Sequence, residues 1–506
     1  MAIQSIPSQL TEHAHDEKYQ ISMSPPRLVR HSLYNLLGLG LPLVVAVFCI
    51  PVLIHGLGEA RFGLLTLIWA VVSYFGLFDL GLGRALTLLL SVAMAENDEK
   101  RTGPLVATSI AIMVGLGVFA GLLMASFAHL GVGSIQAVPD PQEAIYAVYM
   151  MALAMPAIVL TSGFRGVLEA RNAFGIINAI RLPMGLFTFL GPVVVVIYGS
   201  PRLDVIAGVL AAGRVLACVV HGWYAWRALP SENGGLQFRK TLLRPLFVSG
   251  GWLTLSNMIS PFMGYVDRFI IGAIVSAAAV AYYTTPQEIV TKLWIVPGAL
   301  TAVLFPAFAA DITRRDGKSK SMFNDGVSWL FLTLLPVTAF LAIFAEEILT
   351  IWVGVEFASQ SSTMMKIFAF GVLINCLAHI PYTLIQSAGQ PRLTALLHLI
   401  QLPFFVLGLW LLTSRYGAFG AAIAWLGRLV LDAFLMFFTS NFLQKWVSNT
   451  VVFLKLLTYV TVSVLVFSGL LIENVYLRAG WVGLAMVVSW SILLKQIVVR
   501  AHKSRI

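Results

Sequence analysis

The sequence predicts an all-α polytopic membrane protein, with about fourteen transmembrane helices in two pseudo-symmetric six-helix bundles followed by a C-terminal helix pair. Three observations point there. First, 58% of the 506 residues are hydrophobic and only 11% are charged, with a mean hydropathy of +0.87. Soluble domains carry about 25% charged residues. Second, the apolar residues gather into runs of about 20, the number that crosses roughly 30 Å of hydrocarbon at about 1.5 Å per residue. Third, the chain repeats itself. Gly213-Arg214-Val215-Leu216 and Gly427-Arg428-Leu429-Val430 each sit within an apolar run, and each follows a Leu-Pro pair, Leu182-Pro183 or Leu402-Pro403. A period of roughly 210 to 220 residues suggests a duplicated bundle.

The runs follow in order. The first, 32–54, contains Pro42 and Pro51. The second, 62–82, continues through Asp79-Leu80-Gly81-Leu82-Gly83-Arg84 to Ala95 as a kinked extension. Next come 104–129, then 142–163 with Pro156, 174–197 with Pro183 and Pro192, and 205–228 with Arg214 at its centre. The second half begins with 247–272, which holds Pro261 and ends near Asp267-Arg268. It continues with 281–305, which carries Glu288, Lys292 and Pro297, then 326–346 with Pro336 and 361–385 with Pro381. After these come 395–412 with Pro403 and 418–440 with Arg428 and Asp432. The last two, 450–472 and 480–498, fall outside the duplicated twelve and are expected to form a lipid-facing groove. Each proline removes a backbone hydrogen bond and permits a kink, which suits helices that move.

These runs divide the chain into a disordered cytoplasmic tail (1–30), an N-terminal six-helix lobe (31–229), a cytoplasmic linker (230–246), a C-terminal six-helix lobe (247–443), and an extra helix pair with a cytoplasmic tail (444–506). The first 30 residues lack the apolar core of a cleaved signal peptide, so the first span is expected to act as a signal-anchor. An even number of spans per lobe gives both lobes the same orientation. With the N-terminus inside, the cytoplasmic segments hold about 21 of the Lys and Arg residues and the external turns about four, so both termini are expected in the cytoplasm. The net charge of +10 then reflects topology and anionic lipid. Nucleic acid is not an expected partner, because no soluble domain concentrates the charge.

No phosphate-binding loop and no His-Glu-x-x-His helix occurs, and no loop is long enough for a catalytic or nucleotide-binding domain. Neither an enzyme nor ATP-driven transport is expected, nor any cofactor. Cys49, Cys218 and Cys376 lie far apart, within or beside apolar runs, and read as packing residues.

The polar residues inside the runs carry the functional signal, because a lysine or arginine at a helix centre costs about 2.5 to 3.5 kcal/mol on insertion. Arg214, Lys292 and Arg428 lie about ten residues into their runs, some 15 Å deep, beyond easy snorkelling. Arg181, Lys366 and Lys455 lie nearer the ends and can reach the interface. Glu288 with Lys292, and Arg428 with Asp432, stand four residues apart, so each pair either neutralises itself or opens onto a cavity. Arg214 has no acid within four residues. It is expected to face a wet chamber shared with Arg428. Arg214, Arg428, Lys292 and Arg268 are therefore the candidate substrate-binding residues; Asp79, Asp267 and Glu288 are the candidate coupling-ion residues.

Residues 50–87, 166–183 and 263–289 carry more specific patterns. They include Leu-Gly-Glu-x-x-Phe-Gly at 57–63, Asp-Leu-Gly-Leu at 79–82 and Val-Asp-Arg-Phe-Ile-Ile-Gly at 266–272. In these the chain resembles the polysaccharide-biosynthesis (O-antigen) flippases of the multidrug/oligosaccharidyl-lipid/polysaccharide exporter superfamily. The resemblance implies a bacterial inner-membrane protein that flips undecaprenyl-diphosphate-linked oligosaccharide by alternating access. Implied partners are that lipid-linked oligosaccharide, membrane lipid, a proton or sodium ion as coupling ion, a polymerase and a chain-length regulator. A multidrug exporter of the same superfamily and a lipid-II-type flippase remain alternatives. The charge bias makes one direct prediction: reporter fusions after Arg202 should behave as external and after Gly235 as internal, and the reverse pattern would overturn the topology.

Overall fold

The computed structural model describes residues 25–75, 81–229, 234–314, 316–444 and 449–503. Among them every regular element is helical. In the first half these are α1 (Pro25–Leu57), α2 (Glu59–Phe75), α3 (Leu82–Ala95), α4 (Thr102–Ser126), the short α5 (Ala128–Gly133), α6 (Pro141–Ala170), α7 (Phe174–Tyr198) and α8 (Leu203–Arg227). The second half holds α9 (Leu243–Ile274), α10 (Ala277–Thr291), α11 (Ile295–Arg314), α12 (Ser319–Ile343), α13 (Ala345–Val353), α14 (Val355–Ser387) and α15 (Pro391–Gln444). Last come α16 (Asn449–Phe467) and α17 (Val475–Lys503). Ten helical segments among the described residues are long and apolar enough to cross a membrane.

Several predicted runs are modified. The run 62–82 is divided between α2 and α3, with Gly81 at φ 69° just before the second helix. The run 281–305 is interrupted by a 3-10 turn, Lys292–Trp294, and its helices extend from Ala277 to Arg314. Helices outrun the apolar stretch here because backbone hydrogen bonding continues where hydropathy falls. The runs 395–412 and 418–440 are the two arms of α15, which fold at Gly417 (φ 62°, ψ −146°), a conformation open to glycine. Of the polar tail expected at 1–30, residues 1–24 lie outside the described residues and 25–30 belong to α1; Asp79 also lies outside the described residues.

Each half is organised around one helix. In the first, α6 packs against α3, α4 and α8; in the second, α14 packs against α10, α11, α12, α13 and α15. Of the ten candidate spans α14 is the most buried, and α6 is the most buried within the first half. The final pair leans on the second half through α12, where Arg500 at the end of α17 pairs with Asp325 (2.5 Å) and donates to Ser321 Oγ (2.7 Å).

The two halves close against each other along one end of the bundle. Asp140 starts α6 by accepting from Gln142 N (3.0 Å) and Glu143 N (3.1 Å), with Pro141 in the first turn. Glu143, itself buried, accepts from Arg61 (Nη2, 2.9 Å) and from Leu203 N (2.5 Å), which ties α2, α6 and α8 together. On this base α2 crosses α10. Tyr282 O–H donates to Glu59, the Thr284 hydroxyl approaches that of Thr66 (3.4 Å), and Gln136 exchanges backbone hydrogen bonds with Gly272 O (2.9 Å) and Ala277 N (3.0 Å). Trp352 Nε1 donates to Val47 O (2.6 Å) at the same end.

Gly63 makes this crossing possible, since a Cβ there would lie 1.8 Å from the Ala277 carbonyl oxygen. Gly63→Val should force the halves apart. Overpacking of this kind costs about 1 to 3 kcal/mol, so a Thr66→Cys/Thr284→Cys pair in a cysteine-free background should cross-link at least about five-fold less in that variant. Unchanged cross-linking would contradict the seam.

Candidate functional site

The second half encloses a cavity of about 590 Å³. Its wall comes from α9 (Gly264, Tyr265, Arg268), α10 and the turn after it (Gln287, Glu288, Lys292, Trp294), α14 (Asn375, His379, Tyr382) and α15 (His398, Trp425, Arg428, Asp432). Three cations face two carboxylates, which leaves one excess positive charge with the histidines neutral. Aromatic rings and an amide fill the spaces between them.

Glu288 is the centre of the charged cluster. Its Oε1 accepts from Arg268 Nη2 at 2.7 Å and its Oε2 from Lys292 Nζ at 2.6 Å. The pair expected from the four-residue spacing is therefore formed, and it has a third member from α9. Arg268 is itself buried; its guanidinium lies 5.1 Å from the Tyr265 ring centroid and its Nε has no hydrogen-bond partner. Lys292 opens the 3-10 turn Lys292–Trp294 that follows α10, four residues after Glu288.

Asp267 behaves differently from its neighbour, because adjacent helical residues point about 100° apart. It is fully buried and does not line the cavity. Tyr283 O–H donates to its Oδ2 at 2.7 Å and Gln287 Nε2 at 3.1 Å, while Arg268 N donates to Oδ1 at 2.8 Å. This network joins α9 to α10 behind the cavity wall.

The second spacing-based pair is not formed. Asp432 turns away from Arg428: Gln401 Nε2 donates to its Oδ1 at 3.2 Å, and His398 Nε2 lies 3.3 Å from the same atom. His398 is held in turn by stacking on Tyr382, at 6.4 Å between centroids. Both partners come from the other arm of α15, which the fold at Gly417 brings alongside. Arg428 instead lies over Phe405, 5.2 Å from the ring centroid, with its Nε unpartnered. Among the described residues it pairs with no carboxylate.

The structure does not bring Arg214 into the cavity that Arg428 lines. Arg214 lies on α8 in the first half and does not line the cavity that holds Arg428, Arg268 and Lys292. Matched sequence settings therefore do not put the two arginines on the wall of this one cavity. The residues missed by sequence reasoning are His398, Gln401, Tyr382 and Tyr283. A histidine one turn before the Gln401-Leu402-Pro403 segment was the one available signal.

A family model described as polysaccharide biosynthesis protein matches residues 56–362. The chain belongs to that family. A protein of Shigella flexneri named "Putative O-antigen transporter" is 31% identical over 416 residues, which cover 81% of this chain and 96% of that one. Two solved structures share the fold with a TM-score of 0.69. One is a multidrug resistance MATE family transporter of the MOP superfamily in its inward-facing conformation (15% identity, 83% of this chain and 99% of that chain). The other is the lipid II flippase MurJ in an inward closed conformation (12% identity, 93% and 100%). This member of the polysaccharide biosynthesis protein family is thus a multi-pass membrane protein of that fold.

The buried carboxylate yields a stability prediction. Tyr283→Phe removes one donor from Asp267, and leaving a buried charged acceptor short of a partner costs about 1 to 3 kcal/mol. The melting temperature of the purified protein should fall by several degrees; an unchanged value would mean that Asp267 does not depend on that hydroxyl.

Proposed function

We propose that this chain flips a polyprenyl-diphosphate-linked oligosaccharide, of the undecaprenyl type, across the bacterial inner membrane. The observation that carries the proposal is the cavity wall, where Arg268, Lys292 and Arg428 outnumber Glu288 and Asp432 among aromatic and amide side chains. A lipid diphosphate is anionic and is attracted by such a cluster. Sugars stack on aromatic faces and hydrogen-bond to amides, while the polyprenyl tail stays in lipid. A volume of about 590 Å³ is that of a small-ligand pocket, roughly 300 to 1,000 Å³. Membership of the polysaccharide biosynthesis family and similarity to a protein named as an O-antigen transporter support the same substrate class.

In this proposal the chain crosses the membrane about fourteen times, with both termini cytoplasmic, and works as two six-helix lobes, 31–229 and 247–443. The matched hubs α6 and α14 support the duplication. The lysine and arginine bias assigns the end sealed at Gly63 to the outside, and uptake of the head group into the cavity is proposed from the cytoplasmic side. Rocking of the lobes about the seam then exposes it to the other face. A proton or sodium ion is proposed as the coupling ion. Of the carboxylates considered for coupling, Glu288 lines the cavity and Asp267 lies behind its wall. Transport is proposed, and no catalytic step. A multidrug exporter fits less well, because a cationic drug would meet the excess positive charge.

Arg428→Ala should lower surface glycan by about 10- to 100-fold, the worth of one hydrogen bond to a charged group, while the protein stays inserted and abundant. Arg428→Lys should retain part of the activity, since a point charge survives although the guanidinium fork is lost. Arg214→Ala should be milder than Arg428→Ala. Complementation of a flippase-deficient strain, with glycan and lipid-linked intermediate both quantified, checks all three. Normal glycan from Arg428→Ala would reject the site.

A further inference from the structure

Glu288 stands near the end of α10, just before the 3-10 turn Lys292–Trp294 that carries the helical backbone on into α11. Two cations hold it there, Arg268 at 2.7 Å and Lys292 at 2.6 Å. One carboxylate is thus shared between two cations, and the Nε of Arg268 remains without a partner. The three side chains also differ in freedom. That of Arg268 is 7% exposed, against 39% for Glu288 and 46% for Lys292. The guanidinium is the fixed element, and the carboxylate is the one with room to turn into the cavity.

We infer that Glu288 is a resident counter-anion, which holds Arg268 and Lys292 while the cavity is empty and which the diphosphate of the substrate displaces. This inference rests on the flipping proposal and deepens it. A carboxylate and a phosphate accept hydrogen bonds from the same donors, and a diphosphate offers more oxygens and more charge. The two cations are therefore never left bare in a medium where an unpaired charge is costly. Arg428, which pairs with no carboxylate among the described residues, supplies a further contact that needs no displacement. The exchange selects for anionic head groups, because a neutral one cannot dislodge Glu288. It also limits affinity, because the carboxylate competes for its place at every stage, and this favours release at the opposite face. Glu288 is in this sense a positioning and specificity residue rather than a coupling-ion ligand.

The test uses the full-length protein in lipid nanodiscs, with farnesyl diphosphate and farnesol as charged and uncharged probes. Glu288→Gln keeps the shape of the side chain but gives up its charge. It should bind farnesyl diphosphate about ten-fold more tightly than the native chain, with farnesol unchanged. In a vesicle flipping assay KM and kcat should fall together, because the tighter head group leaves slowly; a merely structural role would not lower KM. Glu288→Asp, too short to span both cations, should give a smaller tightening in the same direction. The inference is overturned if the native chain prefers farnesyl diphosphate to farnesol while the variants bind it no more tightly. It is overturned equally if neither variant folds, since Glu288 would then be structural. A native chain that binds the two probes alike sinks the flipping proposal, and this inference with it.

Discussion

The expense of charge in hydrocarbon governs this structure. A lysine or arginine at mid-membrane depth costs about 2.5 to 3.5 kcal/mol even on mild scales, so each deep cation must be shielded, paired or wetted. Arg268, Lys292 and Arg428 meet that demand in one place. Helices α9, α10, α14 and α15 surround a single cavity, and the cations share its wall with two carboxylates. The solution is incomplete: Glu288 is divided between two cations, and Arg428 has an aromatic ring where an acid would serve it better. A cluster optimised for stability alone would balance its charges. The surplus here has a use once an anionic head group enters.

The rest of the fold keeps that surplus available. Asp267 offers the cavity no acceptor, because Tyr283 and Gln287 hold its carboxylate behind the wall. Asp432 could pair with Arg428 one turn away, but Gln401 and His398 draw it off. Two of the three acids nearest in sequence to a cavity cation, Asp267 and Asp432, are thus engaged by neutral or weakly basic partners, and the third, Glu288, bridges two cations. At the end of the bundle the contacts across Gly63 and Ala277 close the halves upon each other, with Tyr282 and Glu59 joining them. In the proposed mechanism, alternating access depends on this seam and on the charged cavity.

Much of this was legible in the sequence, though unevenly. Apolar runs located the helices, because the hydrocarbon thickness imposes a length that no other constraint mimics. The Glu288–Lys292 pair followed from helical spacing, since side chains four apart share a face. The same rule failed for Arg428 and Asp432. Spacing says which side chains can meet, and not which competing partner a neighbouring helix presents; His398 and Gln401 reach Asp432 only because α15 folds at Gly417. Arg214 shows a second limit. Its repeat setting matched that of Arg428 in sequence, but the cavity that Arg428 lines is built from second-half helices. The seam at Gly63 was invisible for a related reason, since its partner lies more than two hundred residues away and the Leu-Gly-Glu-x-x-Phe-Gly pattern marks a turn without naming what crosses it.

The most direct measurement is an electron cryomicroscopy structure of the full chain in nanodiscs with a bound lipid-linked oligosaccharide. The account predicts the diphosphate against Arg268, Lys292 and Arg428, the first sugars among Tyr382, Trp425 and Asn375, and Glu288 turned away from the two cations it now bridges. Head-group density beside Arg214 in the first half, with the second-half cavity empty and Glu288 still bridging, would contradict it.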